Sequence, residues 1–139
     1  MTEFDRKWLT TLSVGIGLFG LILFGAGWAS TDWAARGVFA LFGNLLPDAP
    51  DRYLRFTTSL MGAVTFGWAA TIYVAFRVLW AMPANSAENW RLLTAAILIW
   101  YVIDSAASVA NGFAANAVSN TLIIALFLVP VIRARVLTR

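Results

Sequence analysis

The chain of 139 residues has no cysteine and no histidine. Without cysteine there is no disulfide framework, no thiol nucleophile and no iron–sulfur ligation. Without imidazole the chain lacks the usual protein ligand for haem, copper and zinc, and any triad with a histidine base is excluded. No cofactor is expected; bound lipid stays open. Charge is scarce too. Charged residues make up 12% of the chain, where a soluble domain carries about 25%.

Apolar residues take the space that charge leaves. They form 60% of the chain, and the mean hydropathy is +0.77. The apolar runs reach membrane-spanning length, which points to lipid as the solvent. Four spans are expected, at about 8–29, 54–80, 89–111 and 117–132, in a single four-helix transmembrane domain covering 1–139. The first run follows Arg6 and Lys7 as a signal peptide would, but at about 20 residues it exceeds an h-region of about 7–15, so it reads as a retained span.

The net charge of +3 and pI near 10 do not imply nucleic acid, because the basic residues flank the apolar runs. Arg6, Lys7, Arg77, Arg91, Arg133, Arg135 and Arg139 lie on one side, against Arg36, Arg52 and Arg55 on the other. The positive-inside rule then puts both termini in the cytoplasm of a cell with an inner membrane.

Between spans one and two, residues 32–46 fit an amphipathic helix lying in the membrane interface. Thr31 or Asp32 would cap it. Trp33, Val38, Leu41, Phe42 and Leu45 share one face, with Arg36, Gly43 and Asn44 away from it. Met82 to Glu88 forms a polar turn in which Asn85 or Ser86 would cap span three. Span one carries Ser13, Gly17, Gly20 and Gly27 on one smooth face suited to close helix packing, within the chain or against a partner. Trp8, Trp28, Trp33, Trp80 and Trp90 are explained by interface placement, whereas Trp68 and Trp100 fall mid-membrane.

Asp104 is the one ionisable residue deep inside a span, about 12 Å from the outer end of span three. A carboxylate there normally faces protein and has a partner. Ser108 and Asn111 follow it on the same face, and Trp100 and Tyr101 precede it. Span four offers Asn116, Ser119, Asn120 and Thr121 at the matching level, and Arg55 is the expected partner of Asp104. The bland reading is a polar cluster that ties helices together. The sharper readings are an outward-facing ligand pocket or, last, a conduction path.

The stretch Asp51-Arg52-Tyr53-Leu54-Arg55-Phe56, with Gly62 and Gly67 after it, resembles the second span of an uncharacterised bacterial family of small four-helix membrane proteins. Ser108-Val109-Ala110-Asn111-Gly112 is similar to the segment that closes that family's third span. The resemblance implies the four-helix architecture and carries no activity. The chain departs from the pattern where the family places an arginine, near Asp104 or Ser105.

Three functions remain. The first is a non-enzymatic accessory or structural subunit of a larger membrane complex, one setting being an energy-transducing assembly. The second is a carrier for a lipid, quinone or other amphipathic molecule. The third is a small membrane enzyme, such as an isomerase, using Asp104 as acid or base.

Overall fold

The computed structural model describes residues 1–43, 45–82 and 86–138, with Ser86 described by its backbone alone. Asn44, the capping position Asn85, the side chain of Ser86 and Arg139 therefore lie outside the described parts. Among the described residues the protein is all-helical, with α1 Glu3–Gly25, α2 Trp33–Leu41, α3 Arg52–Ala81, α4 Ser86–Ala110 and α5 Ala114–Arg133. Four of the helices, all but α2, are long and apolar enough to cross a membrane. The shortest of the four has 20 residues, about 30 Å at about 1.5 Å per residue.

Local chemistry sets the ends. At the start of α1, Thr2 Oγ1 accepts from the Asp5 N–H at 3.2 Å, and Asp5 Oδ2 accepts from the Thr2 N–H at 2.9 Å. This reciprocal capping box pulls the helix start back to Glu3, ahead of the apolar run. Asp51 caps α3 more simply, its Oδ1 taking the Tyr53 and Leu54 N–H groups at 2.8 Å each. Between α4 and α5, Gly112 adopts φ +83°. Phe113 N–H reaches back to Ser108 O at 2.8 Å and Gly112 N–H to Val109 O at 3.1 Å. That pairing is a Schellman motif, which needs a left-handed residue where Gly112 stands.

Helix α2 is shorter than expected, ending at Leu41 rather than near 46. Gly43 turns left-handed at φ +74° and breaks the run. Asp32 occupies the N-cap position but makes no side-chain cap bond there, because its carboxylate is engaged by arginines. The expected apolar face is largely open: Trp33, Leu41 and Leu45 are exposed, and Ala35 is the buried residue of the helix.

The chain divides into two compact units, one of residues Met1–Leu12 with Ile72–Arg139, the other Ser13–Thr71. In the second unit, α1 and α3 touch backbone to backbone. A Cβ on Gly20 would lie 2.6 Å from Phe66 N, and one on Gly62 would lie 2.5 Å from Gly20 O and overlap Phe24 N. Only glycine permits that approach. Gly17 faces Ala69 and Phe66, Gly27 faces Ser59, and Ser13 is buried. The smooth face of span one is thus occupied by this chain's own α3.

In the first unit, Phe76 is the centre of the core. Its ring stacks against Trp80, Trp90 and Phe127 at centroid distances of 5.9, 5.8 and 6.1 Å. Leu9 and Val131 are fully buried as well. Asp5, 1% exposed, pairs with Arg133. Two tryptophans expected at the interface serve otherwise. Trp90 is a core residue, and the half-buried Trp8 donates from Nε1 to the carbonyl oxygen of Leu126 at 2.8 Å.

Candidate functional site

Asp104 sits on α4 with Ser105 beside it and Ser108 one turn on; Asn116 and Asn120 stand one turn apart on α5. The two helices pack together, and the turn at Gly112 sets their register so that these side chains meet. Three donors converge on a single carboxylate oxygen, Asp104 Oδ1: Ser108 Oγ at 3.1 Å, Asn116 Nδ2 at 2.9 Å and Asn120 Nδ2 at 3.0 Å. Asn116 also donates to Ser108 Oγ at 2.8 Å and Asn120 to Ser105 Oγ at 3.3 Å. Asn120 is buried, while Asp104 is half-buried.

The other expected members are arranged differently. Tyr101 OH meets Thr121 Oγ1 at 3.0 Å, a second polar tie between α4 and α5. Asn111 turns its amide to its own helix, donating to Ala107 O at 2.8 Å. Trp100 is half-buried. Arg55 does not take the expected role, because its carboxylate is Asp32: the Arg55 guanidinium lies 3.4 Å from Asp32 Oδ2 and also donates to Ala26 O at 3.4 Å. Asp104 is held by amides and a hydroxyl in its place. Span four had shown these amides in its polar set, but helical spacing alone did not say which of its positions face span three.

Asp32 is the residue that sequence reasoning misread. Its Oδ2 accepts from Arg36 at 3.1 Å as well as from Arg55. Arg36 in turn donates to Pro47 O at 3.0 Å and Asp48 O at 3.2 Å. One nearly buried carboxylate therefore ties α2 to the start of α3 and to the segment between them. The Arg36 hydrogen bond holds the Asp32 carboxyl below its ordinary value of 3.8, against the opposing effect of burial, with help from the charges of Arg36 and Arg55. The i, i+4 spacing of Asp32 and Arg36 was the available signal.

Chemically, the α4–α5 cluster offers one oriented carboxylate whose Oδ1 is saturated. Among the described residues none donates to Oδ2, so that oxygen can take a donor from elsewhere. No group of three or more His, Cys, Asp or Glu placed to hold a metal occurs among the described residues. Compared with protein-family models, curated proteins and solved structures, the chain matches none.

Proposed function

We propose that the protein is a non-enzymatic subunit of a larger membrane assembly, inserted in a bacterial inner membrane with both termini in the cytoplasm. The observation that carries the reading is Gly67, in the middle of the apolar α3. It is exposed, and a Cβ built there would meet nothing within 4 Å. A mid-helix glycine costs about 0.5–1 kcal/mol relative to alanine unless a close approach uses it. Gly20 and Gly62 are accounted for inside the chain; Gly15, equally open, has the ring of Phe19 one turn on, which leaves Gly67. Ala63 and Thr71 flank it at i−4 and i+4 and are exposed as well. Small residues at this spacing let an apolar helix of another protein pack closely. The lysine and arginine count supports the orientation.

The test is extraction from the native membrane in mild detergent, followed by native mass measurement. The protein should travel with other chains, and Gly67→Leu should release it while helicity and thermal unfolding stay unchanged. A lone chain in native extracts, unaffected by Gly67→Leu, would overturn the reading; a mass of two identical chains would make a second copy the partner.

One observation favours a second reading, the carrier. The unoccupied Oδ2 of Asp104 suits a hydroxyl or amine of an amphipathic molecule. It requires a lipid or quinone that co-purifies at fixed stoichiometry and is lost in Asp104→Leu.

A further inference from the structure

The first unit carries an unusual arrangement of arginines. Two of its cations have carboxylates: Lys7 meets Glu3 at 2.8 Å, and Arg133 meets Asp5. Three others are held in place by neutral groups. The Arg6 guanidinium lies 5.8 Å from the centroid of the Trp80 ring. Arg77 donates to Tyr73 OH at 3.1 Å with its guanidinium 6.0 Å from the same ring. Arg91 donates from Nε to Leu137 O at 2.7 Å. Arg135 stands at φ +52°, a left-handed conformation uncommon outside glycine, just past the end of α5. Among the described residues none of these four has a carboxylate within ion-pair distance. All four are exposed. Aromatic faces, a phenol and a backbone carbonyl orient a guanidinium without neutralising it. They therefore leave its charge available to an anion, with part of the ordering already done.

The contacts bring the helix ends that carry these residues together. Arg6 of α1 touches α3, Arg91 of α4 touches the segment after α5, and Arg133 of α5 touches the first turns of α1. Each lies at the end of a helix long and apolar enough to cross a bilayer, the depth at which lipid phosphates sit. We infer that Arg6, Arg77, Arg91 and Arg135 form a belt that binds the headgroups of anionic phospholipids. The belt rests on the four helices crossing a bilayer, and it is independent of whether a partner helix packs on Gly67.

The test uses the full chain in zwitterionic micelles and the anisotropy of a dye-labelled phosphatidylglycerol, with phosphatidylcholine bearing the same dye as comparison. Phosphatidylglycerol should bind more tightly. Arg6→Gln, Arg77→Gln and Arg135→Gln should each weaken it about fivefold, the equivalent of about 1 kcal/mol per basic residue near a charged surface. Glu3→Gln combined with Lys7→Gln removes an exposed ion pair of the same unit without changing net charge and should leave binding unchanged, and millimolar inorganic phosphate should not displace the lipid. Should a variant fail to fold, salt added to the unaltered protein gives the same reading, since screening must weaken the binding. Equal affinity for the two lipids, no salt dependence, or an equal loss in the Glu3→Gln, Lys7→Gln variant would overturn the belt. Displacement by an acidic peptide at lower concentration than the lipid would reassign it to a protein partner.

Discussion

The indole N–H of Trp8 fills a vacancy that Pro130 creates: it donates to the Leu126 carbonyl, four residues before the proline, at 2.8 Å. Proline has no N–H, so the Leu126 oxygen loses its ordinary intrahelical partner. An orphan carbonyl is costly wherever water does not reach it. A residue from the first turns of α1 supplies the missing donor and so ties the ends of α1 and α5 together. Trp8→Phe keeps the ring and removes the donor, and should destabilise the protein by about 1–3 kcal/mol. In a Pro130→Ala background the backbone supplies the N–H, and the same change should matter less. Denaturant unfolding in micelles measures both, and strictly additive effects would refute the link.

Glycines in this chain should separate into two classes. Gly20→Ala and Gly62→Ala force a methyl into the opposite backbone, a change expected to destabilise by about 1–3 kcal/mol or more. Gly15, around which a Cβ would meet nothing within 4 Å, should accept alanine with a gain of about 0.5–1 kcal/mol from helix propensity. Thermal melts followed by circular dichroism distinguish the classes; similar melts for Gly62→Ala and Gly15→Ala would contradict the close contact.

At the α4–α5 cluster, Asp104→Leu leaves three donors without their acceptor and should destabilise the protein by about 1–3 kcal/mol. Asp104→Asn keeps an acceptor oxygen and should be milder. Combined with Arg55→Gln, the Asn variant should be additive within about 0.5 kcal/mol, since Arg55 serves Asp32. A larger coupling energy would restore the ion pair that the sequence suggested.

Acid should loosen the Asp32 clip. Its carboxyl titrates below 3.8 when folded, chiefly through the Arg36 hydrogen bond. The unfolded chain therefore takes up that proton first as pH falls. The stabilisation is complete above the ordinary carboxylate range and disappears as pH drops through the lower folded value. Unfolding of the unaltered protein should thus become easier below about pH 4, and Asp32→Asn should flatten that part of the profile while lowering stability at neutral pH. An unchanged acid limb in the variant would rule out the clip as its source.

The four long helices were legible because each is a continuous apolar run, and such runs stand out in one dimension. Their ends were less so. Helix α1 begins at Glu3 rather than Trp8 because Thr2 and Asp5 cap each other, and the T-x-x-D spacing was there to be read. Charged partners were harder still. Arg55 has Asp32 as a neighbour across a chain separation of 23 residues, and nothing in helical periodicity ranks that acid above Asp104. Trp8 and Trp90 illustrate the same limit: a tryptophan near a span end suits the interface, and only the fold reveals that one meets a proline's vacancy and the other a stack of rings.

In the membrane setting proposed above, the left-handed turn at Gly112 bears on how the chain would insert. A lone α4 would present Asp104, six residues from its end, to lipid, at a cost below the about 2.5–3.5 kcal/mol of an acidic residue at the centre of a span, and a lone α5 would present Asn120. Folded back on each other at that glycine, the two helices satisfy these groups within the pair. The hairpin thus constitutes a single unit of partitioning, and α4 should insert efficiently only once α5 has emerged behind it.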